Sequence, residues 1–162
     1  MSEDNNTTNH AYNVMLDFYV RSPHVSNKTE KVQMLIEHMK QLSIKHKNSR
    51  LLPDKVSYAS LMRAIIEEDK PGLFSQIDGI LLEMENSDDT SMQPDRNIYA
   101  IVLETLFTSD DDKALSRAKN VIERMEHHTK LQPDRIIYTI LIKIYSLIND
   151  VHGSDQVLHA MI

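Results

Sequence analysis

One tyrosine-anchored pattern, repeated along the chain, constrains what these 162 residues can fold into more than any other feature. Three Pro-Asp pairs, Pro53-Asp54, Pro94-Asp95 and Pro133-Asp134, are each followed four residues after the Asp by a tyrosine: Tyr58, Tyr99 and Tyr138. Tyr12 is an earlier equivalent with no Pro-Asp before it. The tyrosines are 46, 41 and 39 residues apart, a period that belongs to stacked helical repeats. Three, four and seven positions after each tyrosine come apolar residues: Met15, Leu16 and Tyr19; Leu61, Met62 and Ile65; Val102, Leu103 and Leu106; Leu141, Ile142 and Tyr145. That spacing places them with the tyrosine on one face of a helix.

The second half of each unit ends in an aliphatic pair and a methionine: Leu35-Ile36 with Met39, Ile80-Leu81 with Met84, Val121-Ile122 with Met125, and Val157-Leu158 with Met161. Seven residues before each methionine stand Val32, Ile77, Ala118 and Ser154, positions where a neighbouring helix can approach. Each unit therefore reads as helix A, a turn, helix B and a linker. The turns are punctuated by Ser22-Pro23 with Asn27, by Asp69-Lys70-Pro71-Gly72, by Ser109 and Asp110 to Asp112, and by Asn149-Asp150. Pro71 suits the first turn of a helix, where its missing N–H is not needed. Asp54, Asp95 and Asp134 suit helix N-caps. Amphipathic hairpins that cannot bury their apolar faces alone stack on one another, so the expected fold is all-α, an α-solenoid. The expected organisation is an N-terminal disordered segment at 1–8 and repeats at 9–53, 54–94, 95–133 and 134–162, the last one incomplete.

Composition agrees and removes several function classes. Only 3 Gly and 5 Pro occur, too few for a β-sandwich with a turn every few residues. The absence of Cys excludes disulfides and thiolate metal sites. No apolar run approaches the roughly 20 residues of a membrane helix, and the polar, acidic first ten residues resemble neither a secretory signal nor an Arg-rich presequence. The histidines lack the His-Glu-x-x-His arrangement; His127 and His128 point different ways on a helix, and His38 and His46 are too far apart to share a face. Asp88-Asp89 and Asp110 to Asp112 lack the spacing and glycine of a calcium loop and read as solvated turns. With no glycine-rich phosphate cradle and no Gly-x-Ser-x-Gly elbow, no enzyme activity, cofactor, metal or small-molecule substrate is expected. The net charge is −6, whereas nucleic-acid binders draw much affinity from basic surface. The one positive segment, Lys40, Lys45, His46, Lys47 and Arg50, reads either as a helix end with its linker or as a phosphate-holding patch.

The succession of Pro-Asp, tyrosine, apolar helix A and a helix B ending in an aliphatic pair and Met resembles the pentatricopeptide repeat, most closely from Leu131 to Ile142. The resemblance runs from about His10 onward, with lengthened turns in the earlier units. It implies a right-handed superhelix that binds single-stranded RNA, one base per repeat, in organellar RNA processing, stability or translation, in a mitochondrion or plastid. By that resemblance a base is read by the residue after the helix-A tyrosine together with the Asp that closes the repeat. The pairs are Asn13 with Asp54, a combination the family uses for uridine, Ala59 with Asp95, and Ala100 with Asp134; Thr139 opens a fourth. The alanine pairs have no polar atom in the first position and imply spacers or base-tolerant units. Val56 and Ile136 take the place of the family's aliphatic wedges, and Arg21 that of its phosphate contact. Two other readings stay open: a tetratricopeptide-like scaffold for protein partners, which the acidic balance suits, and the targeting part of a larger enzyme.

Overall fold

The computed structural model describes residues 8–68, 71–108, 113–129 and 131–161. The expected disordered segment, apart from Thr8, and the turn residues Asp69, Lys70 and Ser109 to Asp112 lie outside the described residues. The described residues form eight α-helices and no strand: α1 (Asn9–Arg21), α2 (Lys28–His46), α3 (Lys55–Glu68), α4 (Leu73–Glu85), α5 (Arg96–Thr108), α6 (Ala114–Thr129), α7 (Arg135–Leu147) and α8 (Val151–Met161), with a single 3-10 turn at Ser49–Leu51. The chain is all-α, as the periodicity requires. None of these helices is long and apolar enough to cross a membrane. The helices fall into two compact units, Met1–Pro71 and Gly72–Ile162, which part between α3 and α4.

In the first unit α1 and α2 pack together, and α3 packs on both. On α1 Leu16 and Val20, one turn apart, are buried, and on α2 so are Val32, Ile36 and Met39, which follow the i, i+4, i+7 spacing of a buried stripe. Tyr58, Leu61, Met62, Ala64 and Ile65 complete this core from α3. The helix ends are closed by local hydrogen bonds. Lys47, in the left-handed region at φ 50°, donates to Ile44 O, and Asn48 N donates to Ser43 O at 3.0 Å, the two bonds of a Schellman stop. Asn48 then accepts from Arg50 N and opens the 3-10 turn. At the opposite end, Lys28 at the start of α2 bonds to Glu67 and to Val20 O, while Thr29 N donates to Glu68 Oε1 at 3.1 Å.

In the second unit α5 touches α4, α6 and α7, and α7 touches α8. Ala114, Ala118, Val121 and Met125 of α6 form a continuous buried row, and Ile98 to Leu103, with Leu106, bury most of α5. Within this apolar interior Glu85 is buried, held by three groups. Tyr99 Oη donates to it at 2.9 Å, and Arg124 reaches it through Nη2 at 2.7 Å and Nε at 3.0 Å. Arg124 also meets Asp78 at 2.5 Å. Burial disfavours the charged form of Arg124 and is the largest single influence on it. The hydrogen bonds and charges of Glu85 and Asp78 together outweigh it, and the guanidinium pKa is raised.

Several expectations need correction. Pro71 does not open α4, because Gly72 takes the left-handed conformation at φ 80° and caps the helix, which begins at Leu73. Ser154 is only half-buried, and the close approach on α8 is made by Gly153 one residue earlier. Met15 does not join the core and is 46% exposed, and Leu158 is 43% exposed. Tyr58 and Tyr99 are buried, while Tyr12 and Tyr138, in the first and last repeats, are half-buried.

Candidate functional site

The start of α3 is organised by one carboxylate. Asp54 Oδ1 accepts from Val56 N at 3.0 Å and Ser57 N at 3.1 Å, two of the donors a helix leaves without internal partners. Ser57, at the position of a capping box, returns the bond by accepting from Asp54 N at 3.2 Å. Because α1 packs beside α3, two asparagines one turn apart on α1 reach the same group. Asn9 Nδ2 donates to Asp54 Oδ2 at 2.8 Å, and Asn13 Nδ2 donates to Asp54 Oδ1 at 3.1 Å. Ser57 Oγ donates to Asn13 Oδ1 at 2.6 Å.

The pair picked out in the sequence, Asn13 with Asp54, is thus in direct contact. The contact also fixes the amide's orientation. A flip would turn Asn13 Oδ1 toward the Asp54 carboxylate, acceptor against acceptor. An amide has two N–H donors and two carbonyl lone pairs; these bonds use one of each and leave one of each for a ligand. Asp54 itself is occupied: Oδ1 receives two backbone donors and Asn13, and Oδ2 receives Asn9. Its role is to cap and to orient. Asn9 and Ser57 were not singled out in the sequence, although Ser57 has capping-box spacing from Asp54 and Asn9 lies one turn before Asn13.

The other expected site residues are placed as follows. Val56 and Ile136, on the first turns of α3 and α7, are exposed apolar side chains. Asp134 caps α7 by accepting from Ile136 N at 3.0 Å and Ile137 N at 3.1 Å, and Asp95 accepts from Ile98 N at 3.2 Å in α5. Ala59 and Ala100 are buried. The exposed Thr139 turns its hydroxyl back to Arg135 O at 2.7 Å, so its proton is spent within its own helix. Arg21 is exposed and pairs with Asp17 at 2.7 Å; that hydrogen bond first, and the Asp17 charge second, raise its pKa. In the basic segment, Lys45 and His46 occupy the last turn of α2, and the Lys40 ammonium lies 5.8 Å from the centre of the Tyr58 ring.

Comparison with protein-family models, with curated proteins and with solved structures found no match to this chain.

Proposed function

We propose that this chain is a pentatricopeptide-repeat-like module that binds single-stranded RNA, with Asn13 as its base-reading residue. In this reading the repeats continue as one right-handed α-solenoid, and the organellar setting follows from the resemblance. The observation that carries it is the Asn13 amide, held by Asp54 and Ser57 with one donor and one acceptor to spare. A uridine offers the complement along its Watson–Crick edge, an N3–H donor beside a carbonyl acceptor. Val56 supplies an apolar surface for the base to lie against. The buried Ala59 and Ala100 have no polar atom to discriminate bases, so sequence preference is concentrated at the first repeat.

The net charge of −6 shapes the test. Few phosphates are neutralised, so affinity falls only gently as salt is raised. Fluorescence anisotropy with oligouridine and oligoadenosine at two salt concentrations should show a uridine preference, weakened roughly tenfold by Asn13→Ala, the loss of about 1.4 kcal/mol. Absence of binding even at low salt sinks the proposal. The acidic balance favours one alternative, a scaffold for protein partners in the manner of tetratricopeptide repeats. A partner retained after RNase treatment, together with no RNA binding, would establish that instead.

A further inference from the structure

Aligning the A helices on their tyrosines exposes an incomplete interface. In α7, the residues two, three and six positions after Tyr138 are Ile140, Leu141 and Ile144, at 3%, 8% and 0% exposure. Their equivalents in α1 are Val14, Met15 and Phe18, at 59%, 46% and 58%. The two helices differ in their neighbours. Each packs on the helix that follows it, α2 or α8, but α7 also packs on the preceding α5 and α6, whereas the described contacts of α1 are with α2 and α3. Val14, Met15 and Phe18 therefore occupy the positions that α7 buries against α5 and α6, and are exposed among the described residues. Beside them lies an open cleft of about 720 Å³ lined by Tyr19, Lys31, Met34 and Leu35.

The positions that α5 and α6 bury recur on α7 and α8 with greater exposure. Tyr99 and Leu103, buried on α5, correspond to the half-buried Tyr138 and Ile142 on α7. Ala118 and Met125, buried on α6, correspond to the half-buried Ser154 and Met161 on α8, beside the exposed Leu158. We propose that α1 and α2 of one molecule receive the α7–α8 hairpin of a second copy, head to tail, repeating the joint by which α5 and α6 hold α7. One charge pair across the joint is complementary, although Glu37 also lines the cleft. In the internal joint Lys119 lies 5.6 Å from the centre of the Tyr145 ring. Between copies, Tyr19 stands for Tyr145 and Asp155 for Lys119, and Lys31 lines the cleft beside Tyr19 to meet the Asp155 carboxylate. Such an interface joins two different surfaces, so each copy can both give and receive a contact, and association is not limited to a two-fold dimer. It is independent of RNA.

The test is analytical ultracentrifugation of the purified chain and of two exposed-surface variants, Phe18→Asp and Leu158→Asp, with circular dichroism confirming their helix content. The unaltered chain should self-associate, and each variant alone should do so at least roughly tenfold more weakly, as truncating a hot-spot contact does. An equimolar mixture of the two variants should recover a dimer and nothing larger, since one keeps its tail surface and the other its head. Lys31→Glu should weaken association, and the double variant Lys31→Glu with Asp155→Lys should restore it. A chain that stays monomeric at every concentration overturns the proposal. So does a Leu158→Asp variant that still dimerises alone, which indicates two head surfaces meeting each other, or a variant mixture that stays monomeric.

Discussion

The Cα of Gly153 packs so closely against Tyr145 that a Cβ at that position would stand 2.2 Å from Cε1 and 2.4 Å from Cδ1 of the ring. The same atom would be 2.8 Å from Asp150 Oδ2, on the carboxylate whose Oδ1 accepts the Gly153 N–H. Gly153→Ala should therefore destabilise the protein although alanine is the better helix former by up to about 1 kcal/mol. Overpacking of this kind costs about 1–3 kcal/mol. Urea unfolding of Gly153→Ala, Tyr145→Leu and the double variant checks it: the Gly153→Ala penalty should shrink once the ring is gone.

Asp54 and Asp134 cap equivalent helices but do different amounts of work. Asp134→Ala should cost about 1 kcal/mol, the usual loss of an N-cap. Asp54→Ala also takes the acceptor from Asn9 and Asn13 and should cost about 1 kcal/mol more. Asp54→Asn, which keeps a capping oxygen, should fall between the unaltered chain and Asp54→Ala. Equal losses for Asp54→Ala and Asp134→Ala in chemical denaturation would show that the asparagine bonds contribute nothing net.

Removing Arg124 strands a charge. Arg124→Met leaves Glu85, whose side chain is 1% exposed, with the Tyr99 hydroxyl but no cation, at a cost of roughly 3 kcal/mol or more. Adding Glu85→Gln to that variant should recover part of the loss, because the buried group is then neutral. If thermal melts place the double variant below Arg124→Met, the cost lies in packing and not in charge.

Lys47 ends α2 in the left-handed region, a conformation that costs a residue with a Cβ about 1–2 kcal/mol. Lys47→Gly removes that strain and loses part of the gain to the looser unfolded chain, for a net stabilisation of about 0.5–1 kcal/mol. Asn149 ends α7 through the same pair of bonds, from Asn149 N to Ser146 O and from Asp150 N to Tyr145 O. Asparagine tolerates this region, so Asn149→Gly should gain less in the same melting comparison.

The helical architecture was legible because local periodicity and tertiary burial agree through most of the chain. Met39, Met84 and Met125 were marked by their spacing and are fully buried. The three Pro-Asp pairs were marked as helix starts, and their carboxylates do accept from first-turn N–H groups. What escaped depends on residues far apart in sequence. Nothing near Glu85 announces that it will be buried, since Arg124 arrives from another helix. Met15 has the spacing of a core residue, yet spacing identifies a face and not what lies against it. At the candidate site, Asn13 and Asp54 came from the resemblance, whereas the fixing of the amide by Ser57 and the second grip by Asn9 needed three-dimensional placement.

The doubling of tasks on Asp54 has a consequence for variation over time. A residue that only reads a ligand can drift to a new preference, and one that only starts a helix can exchange among Asp, Asn, Ser and Thr. Asp54 starts α3 and orients Asn13 through one pair of oxygens, so its changes are pleiotropic. Asn13, whose own bonds are to side chains, can mutate without unmaking the start of α3. Diversity among descendants of this chain should therefore accumulate at Asn13 while Asp54 stays fixed.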